Sequence, residues 1–316
     1  MKPAAAISIG DLNGIGVQLA LENHSAISEI VRPIYCIDRT MLEQAADKLK
    51  LPIPKDFQTL ENIAPSFAIV PGRVSKESGR YAYESFCRAA ALAREGEVDA
   101  VCTLPIHKKA WELAGISYKG HTDALRDFFK AEAIMMLGCK AMYVALFTEH
   151  IPLKEVAGSL NERDLTRFFI DFYKTAKPQN TVAVLGLNPH AGDNGVLGDE
   201  ERIITAAIAK ASRIIRDTLS ARCPLPATLF TPPMVPDVAF TPNTRRDFQH
   251  YIAMYHDQGL APLKALYFDE GINVSLNLPI LRTSVDHGTA FDIAYKQGEV
   301  NGLSYRNAIR YIAESS

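Results

Sequence analysis

No apolar run among the 316 residues approaches the ~20 needed to cross a bilayer, so no membrane span is expected. The opening stretch, Met1 to Ile9, is too short for a secretory leader and passes at once into a strand and a glycine loop, so it does not read as a signal peptide. Cysteine is sparse. Cys36, Cys87, Cys102, Cys139 and Cys223 are scattered without a C-x-x-C pair, the pattern of reduced, mostly buried thiols in a cytoplasmic protein. Neither sign of charge dominates. The formal balance is −2 with no basic stripe, which removes the electrostatic case for nucleic acid or a membrane surface as partner. The G-x-G-x-x-G dinucleotide fingerprint is also missing, as are internal repeats and low-complexity tails.

What is present is a chain 47% hydrophobic, long enough to bury a large core as two domains or one large α/β unit. Strands are expected at 4–9, 33–38, 66–70 and 99–103, with helices at 40–49 and 79–95 and another after the glycine loop. This β-then-α alternation argues for a mostly parallel sheet with helices on its faces. The middle differs. Residues 134–137 and 141–148 are strand-like and separated only by Gly138-Cys139-Lys140, so a hairpin and a mixed sheet are expected. A helix opening at Asn161 and running to about Thr175, a buried strand at 181–187 and a long helix at 199–219 follow. Residues 223–242 hold six prolines and read as a loop or insertion. A strand at 251–255, short strands at 272–276 and 280–283, and helices at 289–296 and 303–313 complete the chain.

Chemistry-bearing residues gather where strands end, which is where ligands sit in α/β sheets. The run Tyr251 to Tyr255 enters His256-Asp257-Gln258-Gly259, then Pro262 and Lys264; the competing reading is a plain strand-to-helix turn capped by Asp257. His150 follows another apolar run, and His190 sits in Leu187-Asn188-Pro189-His190-Ala191-Gly192. Three imidazoles suit a catalytic metal with an open position, although spacings of 40 and 66 residues match no local metal motif. Gly120-His121-Thr122-Asp123 precedes a helix, so His121 and Thr122 either meet an anion at its N-terminus or Thr122 simply caps it. Lys264, Asn273 and Arg282 fall near successive element ends and suggest a small anionic substrate; surface charge is the alternative. Asp286-His287-Gly288-Thr289 is a second glycine-containing entry into a helical stretch, suited to phosphate or adenosine.

Several of these segments together resemble the 4-hydroxythreonine-4-phosphate dehydrogenase family of pyridoxal phosphate biosynthesis over nearly the full length. The resemblance rests on Gly120-His121-Thr122, Leu187 to Gly192, Ala253-Met254-Tyr255-His256-Asp257-Gln258-Gly259 and Leu281 to Ala290. It implies a three-layer α/β/α fold like isocitrate and isopropylmalate dehydrogenases. Two domains, residues 1–120 with 285–316 on the NAD side and 121–284 on the metal side, would then flank a cleft in a homodimer with active sites at the subunit interface. It implies a divalent metal (Zn, Mg or Co) on His150, His190 and His256, contributed by both subunits. It places substrate on His121, Thr122, Lys264, Asn273 and Arg282, and NAD (or NADP) on Asp286, His287 and Gly288. Lys264 is then the candidate for proton transfer, on the expectation that it is buried. Asp237, 19 residues before His256, is matched with a catalytic aspartate. The implied reaction is NAD-dependent oxidation of 4-phosphohydroxy-L-threonine with decarboxylation to 3-amino-1-hydroxyacetone phosphate, for pyridoxine 5'-phosphate biosynthesis. Alternatives are a paralogue acting on erythronate 4-phosphate, a metal-dependent hydrolase, which leaves Lys264 and residues 286–292 unexplained, and, last, a non-catalytic binding protein. Two departures stand out. Where the family reads Gly-Asp-Pro-Ala-Gly-Ile-Gly-Pro this chain has Leu12, Asn13 and Val17, which is expected to loosen the loop, and the proline-rich stretch before Asp237 looks like a short insertion.

Overall fold

A computed structural model describes residues 2–220, 224–296, 298 and 300–315. Cys223, and with it the start of the proline-rich stretch, lies outside the described residues. Along the chain, β1 (Ala4–Ser8) leads into α1 (Gly16–Ser28), followed by β2 (Arg32–Cys36), α2 (Arg39–Leu49), α3 (Lys76–Arg94), β3 (Ala100–Thr103), α4 (Lys108–Leu113) and α5 (His121–Phe129). Next come β4 (Ile134–Cys139), β5 (Met142–Leu146), α6 (Leu153–Ser159), α7 (Glu162–Ala176), β6 (Ala183–Val184), a turn at Pro189–Gly195 and α8 (Glu200–Leu219). The single turns α9 (Pro236–Ala239) and α10 (Pro242–Arg245) precede β7 (His250–Ala253), α11 (His256–Tyr267), β8 (Ile272–Leu276), β9 (Leu281–Val285) and α12 (Leu303–Ser315). The fold is mixed α/β, as expected. None of the described helices is long and apolar enough to cross a membrane.

The chain divides into two compact units, Met1–Ala133 with Asp269–Ser316, and Ile134–Phe268. The limits expected from the sequence are 120 and 284, whereas the compact units end at 133 and 268. In the first unit the strand order is β2-β1-β3-β9-β8, parallel except for the β8–β9 pair. β1 is buried at all five positions, as a central parallel strand covered on both faces must be. In the second unit β4 and β5 form the expected antiparallel hairpin, and β5, β7 and β6 run parallel. There α7 and α8 pack against each other, α7 burying Leu165, Phe169 and Phe172 and α8 burying Ile204, Ala207 and Ala211. Asn161 caps α7, its side chain accepting from the Asp164 N–H at 2.9 Å.

Three expected elements are absent or shortened. Residues 66–70 are extended but form no strand, because side chains satisfy their backbone. The Ile69 N–H donates to Gln44 Oε1 (2.6 Å), the Val70 N–H to Asn13 Oδ1 (2.9 Å), and Gln44 Nε2 to the Phe67 carbonyl (3.0 Å). The strand expected over 181–187 shrinks to Ala183–Val184. Its flanks bridge to Phe230 and Met234, so the proline-rich segment is a sheet edge that its prolines keep from becoming a regular ladder. Residues 289–296 make turns rather than a helix, since Ala290 and Tyr295 have φ of 45° and 60°.

The glycine loop is tight, not loosened. Leu12 and Asn13 are buried, and Asn13 ties the loop to residues 70–73, its Nδ2 donating to the Arg73 carbonyl at 2.7 Å. Asp11 closes the turn, accepting from the Asn13 N–H (2.9 Å) and the Ser78 hydroxyl (3.1 Å). Asn13 thus does through hydrogen bonds what a proline does through ring stiffness. Burial raises the Asp11 carboxyl from 3.8 to about 6, against the lowering effect of its two donors. The folded chain therefore holds this proton more tightly than the unfolded one. Its contribution to stability is full below the unfolded value and is lost as pH rises through about 6. Asp11→Asn should remove that loss, so its stability relative to the parent should climb between pH 4 and pH 8 by up to about 3 kcal/mol. Denaturant unfolding at both pH values checks this, and an equal difference at both would refute it.

Candidate active site

In the first unit the centre is Arg282 on β9. It is 2% exposed, yet its partners are all neutral. Nη2 donates to Thr103 Oγ1 at 2.6 Å and Nη1 to Ser275 Oγ at 3.1 Å, with Asn273 Oδ1 at 3.5 Å and Nε buried without a partner among the described residues. Burial draws its pKa down to about 10, which still leaves it a cation at neutral pH. His121 opens α5, with Gly120 rather than Thr122 at the cap position and no side-chain cap. Phe86 and Trp111 enclose its ring, at 5.2 and 5.5 Å between centroids, and its Nε2 is buried without a partner among the described residues. Burial first, and Arg282 second, hold its pKa well below the ordinary value, so it is neutral. Thr122 is buried in the same first turn. A desolvated cation with no counter-ion among the described residues, beside a neutral imidazole with an open nitrogen, is suited to receiving an anion.

Asp286, His287 and Gly288 follow β9 directly. The Asp286 N–H donates to Ser304 Oγ at 3.1 Å, and His287 Nδ1 lies 3.1 Å from the Gly288 carbonyl while its Nε2 is buried without a partner. The glycine loop touches the same segment, the Ile15 N–H donating to the Thr289 carbonyl (3.1 Å) and the Tyr295 hydroxyl to the Leu12 carbonyl (2.7 Å). Both glycine-containing entries are therefore one neighbourhood, a connection no spacing in the sequence discloses.

The second unit holds the other candidates. β5 and β7 are neighbours, so the residues just beyond them meet: the His150 and His256 rings lie 5.6 Å apart. Asp257 does not cap α11. It accepts from His256 Nδ1 at 2.8 Å, which leaves Nε2 as the ring's available lone pair. His190 lies in a turn where five consecutive residues, His190 to Asn194, have left-handed φ of 43° to 78°. Glu201 holds that turn. Its Oε1 accepts from the Leu187 and Asn188 N–H groups, both at 2.8 Å, and its Oε2 from Asn188 Nδ2 at 3.0 Å. A side chain on Gly192 would meet Glu201 Oε2 at 2.6 Å, so only glycine fits. Asp237 is exposed on α9, which packs against this turn. Lys264 is half-buried on α11 rather than buried, its Nζ 5.8 Å from the centre of the Phe268 ring. No group of three or more metal-capable side chains forms among the described residues of one chain. His150 and His256 are brought together and His190 is not placed with them.

Thr103, Ser275 and Glu201 carry no sequence signal that singles them out, and Asp257, expected at most as a helix cap, instead orients His256. The most that Thr103 offers is a hydroxyl ending an otherwise apolar strand; Glu201 offers nothing, since its role depends on residues 13 and 14 positions earlier.

Residues 29–312 match the family model described as pyridoxal phosphate biosynthetic protein PdxA. A protein of Sulfurimonas denitrificans, a 4-hydroxythreonine-4-phosphate dehydrogenase, is 57% identical over 309 residues, spanning 98% of this chain and 96% of its own. A Campylobacter fetus protein of the same name is 48% identical, with 98% and 97% covered. The crystal structure of the Klebsiella pneumoniae 4-hydroxythreonine-4-phosphate dehydrogenase superposes with a TM-score of 0.81 at 30% identity, covering 100% of this chain and 98% of that one. The chain is accordingly an α/β oxidoreductase of the dehydrogenase kind. It belongs to the pyridoxal phosphate biosynthetic protein PdxA family.

Proposed function

We propose that the chain oxidises 4-phosphohydroxy-L-threonine with NAD⁺ and a divalent metal, releasing CO₂ and 3-amino-1-hydroxyacetone phosphate. The observation that carries this reading is Arg282: a buried guanidinium with neutral partners only, beside the open nitrogen of His121. An anionic substrate supplies the missing counter-charge, and family membership supplies the reaction class.

The residues fit both cofactors. His256, oriented through Nδ1 by Asp257, and His150 offer two imidazoles, which suit Zn or Co better than the oxygen-seeking Mg. His190 from a second copy of the chain completes the set in a homodimer. The open His287 Nε2 and the unobstructed Gly288, where an added side chain would meet nothing within 4 Å, suit a dinucleotide approaching residues 286–288. When bound, the metal would supply Lewis-acid polarisation of the substrate oxygens, and NAD⁺ would supply the hydride acceptor.

The chain's own residues do the rest. Arg282, Asn273, His121 and Thr122 bind and orient the anionic ends of the substrate. Oxidising the alcohol frees one proton, and the carbon left after CO₂ departs takes one back. The two transfers balance, so a single group serves both, and Lys264 is the residue assigned to it. Asp237, on the helix packed against the His190 turn, is assigned to the same catalytic group. Incubation with NAD⁺, metal and 4-phosphohydroxy-L-threonine should generate NADH that chelation abolishes, with erythronate 4-phosphate run alongside. NADH from erythronate 4-phosphate alone would replace the substrate and keep the mechanism. No NADH from either, with metal bound, would overturn the reading.

A further inference from the structure

Four strands of the first unit bring a row of small polar side chains into line. Ser8 on β1 is in register with Thr103 on β3, Thr103 with Ser284 on β9, and Ser284 with Asn273 on β8. Side chains two apart on a strand share a face, so Arg282 and Ser275 lie on the same face one step below. The row closes the carboxyl ends of three parallel strands. Thr103 is fully buried, and its oxygen makes the shortest of the Arg282 contacts, 2.6 Å. Having accepted from the guanidinium, its hydroxyl still carries a hydrogen with no acceptor among the described residues. Ser8 beside it is also buried, with no partner for its hydroxyl among the described residues. This face offers donors, and among the described residues no carboxylate answers the cation.

We propose that Thr103 is a positioning residue: it fixes the Arg282 guanidinium through a neutral acceptor, so the side chain is aimed but its charge stays available to the substrate's anionic end. This rests on the anion-binding reading of Arg282. A carboxylate in the same place would hold the arginine equally well and cancel it. The Thr103 hydroxyl therefore serves ligand affinity, and the fold alone would be served as well or better by an ion pair.

The test uses the full chain with three substitutions, steady-state kinetics and thermal unfolding with and without inorganic phosphate. Thr103→Val should raise KM for 4-phosphohydroxy-L-threonine about 10- to 100-fold, the size of one hydrogen bond to a charged group, with kcat within about threefold. Thr103→Ser should restore the parent KM. Thr103→Asp should unfold at a higher temperature than the parent without ligand, yet lose the protection that phosphate gives the parent. A parental KM and phosphate protection in Thr103→Val would overturn the proposal, and so would phosphate protection retained in Thr103→Asp, which carries the test should the valine variant not fold. If the parent makes no NADH but phosphate protection follows the expected pattern, the reaction assignment fails and the positioning role stands.

Discussion

Arg282→Met is expected to raise KM for the phosphorylated substrate roughly 10- to 1000-fold, the range of one hydrogen bond to a charged group or a little more. The stability of the ligand-free protein should stay within about 1 kcal/mol of the parent. The two halves belong together. Burying a guanidinium against Thr103, Ser275 and Asn273 costs desolvation that three neutral acceptors only partly offset. A thioether of similar length removes that cost and leaves two hydroxyls unpaired, so the changes oppose each other. An arginine that served only the fold would behave the other way, losing stability on substitution and leaving KM alone. An unchanged KM would remove Arg282 from the substrate site.

His256→Ala should lower bound metal, measured on the purified protein, from stoichiometric to near zero, and His190→Ala should do the same. Retained stoichiometric metal would sink the ligand assignment. The geometry also says which pair of variants to mix. His150 and His256 stand together in one chain, so variants at these two positions cannot complement one another by exchanging subunits. His190→Ala and His256→Ala can, if His190 reaches the other copy's pair. Random mixing makes half the dimers mixed, each with one intact site of two, so recovery should approach about a quarter of parental activity. No recovery would favour sites built within one chain.

Much of the architecture was legible because burial writes itself into composition. The all-buried run Ala4 to Ser8 and the β4–β5 hairpin need no tertiary information to be seen, although Gly138 and Cys139 pair within the ladder and the turn falls on Lys140-Ala141. What misled were segments whose backbone is satisfied by side chains from far away. Residues 66–70 look like a strand, but Gln44 and Asn13 take the hydrogen bonds a neighbour would have made. The glycine loop looked slack because prolines were missing, while the asparagine that replaces their stiffness acts 57 residues away. The site divides the same way. Residues with distinctive chemistry, His256 or Arg282, announce themselves; the neutral hydroxyls that determine what Arg282 can do do not, since threonine at a strand end is commonplace.

The turn from His190 to Asn194 bears on portability. A left-handed run in which every residue but Gly192 carries a side chain opposes its own formation, and its restraint arrives from Glu201, with Gly198 packed against the Asn188 side chain. The six residues Leu187 to Gly192 therefore do not encode the shape they adopt. Moved to another scaffold without Gly198 and Glu201, they would relax into an ordinary loop, with the histidine pointing wherever that loop allowed. The smallest transplantable piece is the whole span from Leu187 to Glu201, and any attempt to borrow this imidazole for a designed site has to carry the downstream helix with it.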